Sequence, residues 1–317
     1  MRLLSSLGVF TQTGNHFGLT PVGELLQSHS SRSMRDLAVM FNDPWSTAAW
    51  TELPHSVRTG GDGVTKAFGK NTFELFHDEP DQAANFHAAM TNFSRSVVDA
   101  TLEAYDFSHF SHLADVGGGH GVLLGSILRH TPGLRGVLFD LPEVLAGAPA
   151  AGHLASLEDR VELQPGGFFE TVPTGVDAYI LKSIIHDWSD DHSRRILRLL
   201  RDQLAACDPE NGRVLLCEMV VPDNGAPAPA KFLDIEMLVC TIGGKERTAS
   251  TFSASRSAIL AYLFPSRADW VRALGKQGGD SRIWAGIHYQ IDNESGVALG
   301  ESVAQKFIDW ASKDGSQ

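Results

Sequence analysis

LADVGGGHGVLLGSIL, residues 113–128, is the stretch that decides the fold. Residues 113–116 are apolar except for Asp115 and predict a buried strand. Gly117, Gly118, Gly119 and Gly121 follow it, and Val122, Leu123, Ile127 and Leu128 then recur at helical spacing. In a strand, glycine turn and helix of this kind, bare backbone N–H groups meet a ligand at a helix N-terminus. Residues 136–139 predict a second strand ending in Asp140. Its carboxylate stands about 20 residues after the glycines, where it suits the hydroxyls of a ribose.

The glycine spacing narrows the choice of ligand. A dinucleotide fingerprint needs Gly-x-Gly-x-x-Gly. Counted from Gly117 the last position is Val122, and counted from Gly119 it is Leu124. The glycine that admits a pyrophosphate is therefore missing. Asp115, just before the turn, would repel a pyrophosphate but suits an ammonium. Both features favour S-adenosylmethionine, which carries an adenosine, a cationic sulfur and an amino acid tail but no phosphate. The alternative is a glycine-rich turn with no ligand.

The totals bound the rest. At 317 residues the chain is long enough for two domains or one large domain with appendages. The formal charge of −12 argues against non-specific binding to nucleic acid or to an anionic membrane. Cys207, Cys217 and Cys240 show no metal or disulfide spacing and suit a reducing cytoplasm. No stretch is apolar enough for a membrane span or a signal peptide.

Along the chain, residues 1–30 predict a helix over 1–7, a turn at Gly14 and Asn15, a short strand over 17–19 and a helix opened by Thr20 and Pro21. This is similar to the end of a winged helix, with too few basic residues for a DNA reader. A helix that opens at Met1 reads as the middle of a domain, with sequence expected before it. Residues 35–110 predict helices rich in large apolar side chains (Phe41, Trp45, Trp50, Phe73, Phe76, Phe86, Met90, Phe93), core first and possible cap for a neighbouring site second. Gly60, Gly61 and Gly63 predict a loop. Residues 111–245 alternate strand and helix, with strands over 113–116, 136–139, 161–164, 178–182 and 214–219 and a helix over 189–204. That pattern predicts a Rossmann-like, doubly wound parallel sheet with its ligands at the carboxyl ends of the strands. His186, Asp187 and Glu218 then fall at the edge that carries the glycine turn. A neutral imidazole at His186 can take a proton from a hydroxyl, and Glu218 and Glu246 can orient it.

Four motifs in this order, DVGGGHG (115–121), FDLP (139–142), LKSIIHDW (181–188) and GGKERT (243–248), resemble the plant-caffeate and bacterial-polyketide type of S-adenosylmethionine-dependent O-methyltransferase. The resemblance covers residues 1 to about 247. It implies cofactor contacts from Asp115, Gly117, Gly119, Asp140, Leu141, Gly167, Phe168 and Lys182. It implies His186 as general base, assisted by Glu218 and Glu246. Met90, Asp187, Trp188, Met237 and Cys240 would line the pocket for a small hydroxyl-bearing acceptor. Residues 1–105 would be a partial winged-helix-like dimerisation and capping domain and 106–247 the cofactor-binding domain. The partner would be a second copy, if the family's long intertwining helices precede this sequence. One departure is Gly166-Gly-Phe-Phe169, where the family usually has Gly-Asp, so the carboxylate that would reach the adenine is replaced by Gly167. A second is that the family's last helix and two strands are not found after Thr248.

Residues 248–317 resemble another family. STFSASRSAILAYLFP (250–265) and SRIWAGIHYQID (281–292) look like the last helical part of a vanadium-dependent haloperoxidase or type 2 phosphatidic acid phosphatase. Arg282, His288 and Asp292 fit that family's oxyanion spacing, but Ala249 stands where its acid histidine would be. An oxyanion site needs several converging cations, so activity from this tail is the remote alternative. The other alternative to a methyltransferase is a non-catalytic fusion of two partial genes that at most binds the cofactor.

Overall fold

Three strands of the predicted sheet are apolar on both faces, which is what a parallel sheet covered by helices on both sides demands. The structure, a computed structural model, describes residues 1–30, 32–207, 212–222 and 224–248. In chain order these form α1 (Arg2–Ser6), β1 (Phe10–Thr13), β2 (His16–Leu19), α2 (Pro21–Glu24), α3 (Arg35–Met40), α4 (Pro44–Thr51), α5 (Leu53–Thr59), α6 (Gly63–Phe68), α7 (Thr72–Asp78) and α8 (Pro80–Ala104). There follow β3 (His112–Val116), α9 (Val122–His130), β4 (Arg135–Asp140), α10 (Pro142–Leu145), α11 (Ala148–Ala151), β5 (Val161–Pro165), β6 (Ala178–Lys182), α12 (Asp190–Cys207), β7 (Arg213–Cys217), β8 (Val220–Val221), α13 (Pro229–Cys240) and β9 (Arg247–Thr248). The chain divides into two compact units. One holds Met1–Cys217 with Leu238–Gly243, and the other holds Glu218–Met237 and the residues from Gly244 on.

The first unit is built on a five-stranded sheet in the order β5-β4-β3-β6-β7, and every pair in it is parallel. The side-chain period of two sorts its residues. Leu113, Leu138 and Ile180 pack with Val122, Leu123, Leu124, Ile127 and Leu128 of α9 in one buried cluster. Ala114, Val116, Val137, Phe139, Tyr179 and Leu181 pack with Ile196, Leu200 and Leu204 of α12 in another. Helices therefore cover both faces, as a doubly wound sheet requires. Burying one such leucine or isoleucine contributes about 1.5–3 kcal/mol.

The helical segment of this unit has its own core of Met40, Trp45, Ala49, Val64, Leu75, Phe76 and Ala89, together with Val239 and Cys240. Trp45 and Phe76 meet edge to face with centroids 5.1 Å apart. Asn92, buried on the long helix α8, accepts the Asp36 N–H at 3.0 Å and ties α3 to it. Most of the aromatic residues from 35 to 110 thus serve as core. At the N-terminus Thr20 caps α2, accepting the Gly23 N–H at 3.2 Å, with Pro21 in the first turn.

Three local expectations need correction. Residues 10–13 form β1, which pairs with β2 as an antiparallel hairpin not predicted from the sequence. Gly63 opens α6 instead of lying in a loop, because the Asp62 side chain accepts the Thr65 N–H at 2.6 Å and starts the helix. The fifth strand ends at Cys217, so Glu218 lies just beyond it and begins the second unit.

In the second unit β8 and β9 form a short parallel pair. The Glu246 N–H donates to Asp234 Oδ1 at 2.9 Å, and Glu246 is buried. Among the described residues, no helix is long and apolar enough to cross a membrane.

Candidate active site

The carboxyl edge of the sheet in the first unit gathers the groups that can do chemistry. Gly117, Gly119 and Gly121 have φ of 70°, 59° and 80°, the left-handed region in which a Cβ is strained. A Cβ on Gly117 would also collide with Ile184, and one on Gly118 with Leu138 and with the Asp115 carboxyl. Glycine at these positions lets the backbone follow the left-handed turn and pass close to Ile184, Leu138 and Asp115. The Gly117 N–H donates to the Phe139 carbonyl at 2.8 Å, pinning the turn to the tip of β4.

Asp140 closes the other side of the turn. Its Oδ2 accepts the Gly119 N–H at 2.8 Å and its Oδ1 accepts the Leu141 N–H at 2.7 Å. Burial raises its pKa, against those two donors. A carboxylate has about four lone-pair sites, so two stay available to hydroxyl donors. Leu141 starts the turn into α10 and is partly exposed. Phe168 lies beside Gly117, and nothing stands within 4 Å of where a Gly167 Cβ would be.

Asp115 is 1 % exposed, and its Oδ2 has no hydrogen-bond partner among the described residues. Burial pushes its carboxyl up to about 7, opposed by the Lys182 charge and reinforced by Asp140. Lys182, at the tip of β6, stands 5.8 Å from the centre of the Phe93 ring on α8. A buried acid with an unpartnered oxygen, beside a glycine turn whose Gly117 and Gly119 N–H groups are already bonded to Phe139 and Asp140, fits a ligand that brings a cation and no phosphate.

His186 is buried on a short 3₁₀ turn, Ile185–Asp187, directly after β6. Its Nε2 lies 3.4 Å from Asp187 Oδ1, so the neighbouring carboxylate can orient the ring. Trp188 is stacked on Phe73 of α7, with centroids 5.3 Å and planes 15° apart. It also meets Phe168 and Phe169 edge-on, at 6.0 Å and 4.6 Å. Its indole N–H is buried with no acceptor among the described residues. Met90 packs against the helical core, and Cys240 is buried in it, its carbonyl accepting from the Thr72 hydroxyl. Met237 is buried in the second unit, which also holds Glu218 and Glu246. Arg282, His288 and Asp292 lie outside the described residues.

Two features at this edge were not foreseen from the sequence. One is the stacking of Phe73, named only among the large apolar side chains of 35–110, on Trp188, which is remote along the chain. The other is a pair of imidazoles, His87 on α8 and His120 in the glycine turn, with ring centroids 5.7 Å apart. Burial, then the charge of His120, lowers His87 to about 4. Among thirteen histidines nothing in spacing singles these out.

A doubly wound parallel sheet with this glycine edge places the chain among the nucleotide-binding α/β enzymes, the methyltransferases included. The comparisons carry this to a family. The O-methyltransferase domain model matches residues 50–258, and the chain belongs to that family, whose cofactor is S-adenosylmethionine. It is 39% identical over 253 residues to the phenazine O-methyltransferase PhzM of Lysobacter antibioticus, covering 80% of this chain and 72% of that one. It is 36% identical over 256 residues to the mitomycin biosynthesis 6-O-methyltransferase of Streptomyces lavendulae, again 80% and 72%. The crystal structure of LaPhzM superposes with a TM-score of 0.74 at 38% identity, covering 83% of this chain and 76% of that one. NcsB1 from neocarzinostatin biosynthesis, solved with S-adenosylmethionine and 2-hydroxy-5-methyl naphthoic acid, gives 0.65 at 29% identity, covering 83% and 75%. A second model, the VCPO second helical-bundle domain, matches residues 246–314, in keeping with the haloperoxidase-like tail.

Proposed function

We propose that this S-adenosylmethionine-dependent O-methyltransferase methylates a hydroxyl of a small aromatic or polyketide-like molecule, with His186 as general base. The observation that carries this is a buried imidazole on the turn after β6, at the sheet edge that carries the glycine turn and Asp140. When bound, the cofactor supplies a methyl group on a cationic sulfur. The backbone of the Gly117–Gly121 turn and Asp140 would hold its nucleoside, Asp115 would balance its ammonium, and Phe168 would pack at its base. His186 takes the acceptor's hydroxyl proton at a ring nitrogen, and Asp187 orients the ring and balances the imidazolium. Little oxyanion stabilisation is needed, because the reaction neutralises a positive charge, so positioning and the base supply most of the acceleration. Met90, Trp188 and Cys240 line the acceptor pocket in this reading, under a helical cap formed by residues 1–105. Phenazine, caffeic acid and 3-amino-4-hydroxybenzoate, which appear in the names of relatives, support an aromatic acceptor.

The test is methyl transfer by wild type and His186→Ala over a panel of phenols, followed by mass spectrometry, with cofactor affinity measured in parallel. Amines belong in the panel, since one relative, 34% identical, is an N,N-dimethyltransferase. His186→Ala should lose transfer and keep cofactor affinity within a few fold. A folded variant that transfers normally would remove His186 from the mechanism.

We further propose a homodimer formed through the first 30 residues, where Leu3, Leu7, Leu19 and Val22 are exposed, in a reducing cytoplasm that keeps Cys207, Cys217 and Cys240 free. Light scattering on wild type and Leu3→Glu, Leu7→Glu checks the dimer; a wild-type monomer at micromolar concentration rejects it.

A further inference from the structure

We propose that Asp115 stays protonated while the cofactor site is empty and surrenders that proton as an ammonium-bearing ligand binds. Cofactor loading is then a proton exchange, and it is selective for ligands that carry the amino acid tail. The inference rests on the cofactor site assigned above and deepens it.

The geometry comes first. Asp115 is fully enclosed at the end of β3, with Oδ2 unpartnered. Its carboxyl lies so close under Gly118 that a single added carbon there would overlap it. No space remains on that side for a solvating water. Among the described residues, the charged groups facing Asp115 are Lys182 from β6 and Asp140 from β4, and α9 contributes the Leu124 N–H. Fully ionised, this dry corner would hold two carboxylates against one ammonium. An uncompensated buried charge is costly, and the corner relieves it by retaining a proton. The carboxyl pKa of about 7 agrees with that balance.

A ligand ammonium supplies the missing positive charge. The O–H bond of the Asp115 carboxyl then breaks, the proton leaves to solvent, and the charge of the resulting carboxylate is balanced by the ligand's ammonium. No electrons move and no other reactant is needed. Apparent affinity for such a ligand should therefore fall toward tenfold for each pH unit below 7. Ligands lacking the amino acid tail should show no such dependence.

Isothermal titration calorimetry in buffers of differing ionisation enthalpy counts the protons directly. For S-adenosylmethionine and S-adenosylhomocysteine we expect release of about one proton at pH 6 and about half at pH 7. Release should vanish near pH 7.5, midway between the two pKa values, and turn to uptake above it, where an α-amino group has itself lost its proton (pKa about 8). 5′-Methylthioadenosine should bind with heats independent of buffer. Asp115→Asn should abolish proton release for every ligand. Buffer-independent heats for S-adenosylmethionine at pH 6.5 in wild type would overturn the proposal, whatever the variant does. Equal release with 5′-methylthioadenosine would overturn its selectivity. Failure of S-adenosylmethionine to bind at any pH would instead remove the cofactor site on which the proposal depends.

Discussion

Gly167→Asp should tighten binding of S-adenosylmethionine, because it restores the one carboxylate that this chain lacks relative to the pattern it resembles. The structure allows the side chain. Nothing lies within 4 Å of the new Cβ, and the backbone there is outside the left-handed region. The Gly167 carbonyl accepts the Glu170 and Thr171 N–H groups at 2.9 and 3.0 Å, so residue 167 opens a helical turn, where aspartate is a favoured cap. Folding should change by only a few tenths of a kcal/mol. A hydrogen bond from an adenine amino group to a carboxylate contributes about 1.5–3 kcal/mol, or roughly ten- to a hundredfold in affinity. Titration calorimetry of both proteins with S-adenosylmethionine measures it. Replacing adenosine by inosine in a competitor, which removes the amino group, should erase the gain. A folded variant with unchanged affinity would show that residue 167 does not face the base and that the adenine end is placed wrongly.

Asp140→Ala removes the acceptor of the Gly119 and Leu141 N–H groups as well as a partner for ribose. Cofactor affinity should fall at least tenfold by calorimetry, and stability should drop by about 1–3 kcal/mol. Asp115 carries a pH signature in the cofactor-free protein. Its folded pKa, about 7, exceeds the unfolded value of 3.8, so the folded state holds a proton that the unfolded state releases between those values. Stability of the cofactor-free protein should fall as pH rises through that window, at up to about 1.4 kcal/mol per unit. Asp115→Asn should flatten the fall and raise the melting temperature at pH 8, read by calorimetric scans. Phe73→Ala should raise KM for the acceptor while leaving cofactor affinity unchanged, since it removes the stacking partner of Trp188. Phe73→Tyr should restore it; steady-state kinetics distinguishes the two.

The sheet was legible because its central strands have one requirement, burial on both faces, and Leu113–Val116 and Ala178–Lys182 meet it along most of their length. The glycine turn was legible for a related reason, since only glycine tolerates its φ values and its crowding by Ile184. The β1–β2 hairpin was not, because its strands are largely exposed and carry Thr, Gln, His and Gly with no apolar alternation to betray them. The end of β7 was overrun because Val214 to Met219 stays mostly apolar past the last paired residue, Cys217. At the candidate site, strand-tip positions pointed to His186, Asp140 and Asp115. The roles of Phe73 and of the His87–His120 pair are tertiary facts: each depends on a partner more than thirty residues away.

The parallel stack of Phe73 on Trp188 ties α7 to the loop bearing His186. Trp188 follows His186 by two positions and touches Phe168, which borders Gly117. A shift of α7 toward a bulkier acceptor would drag this row of rings, and with it the imidazole and the cofactor's seat. Widening the range of acceptors by redesigning α7 would therefore also disturb His186, the base of the proposed reaction. Directed evolution for new acceptors should accordingly return paired changes at residues 73 and 168 more often than single ones.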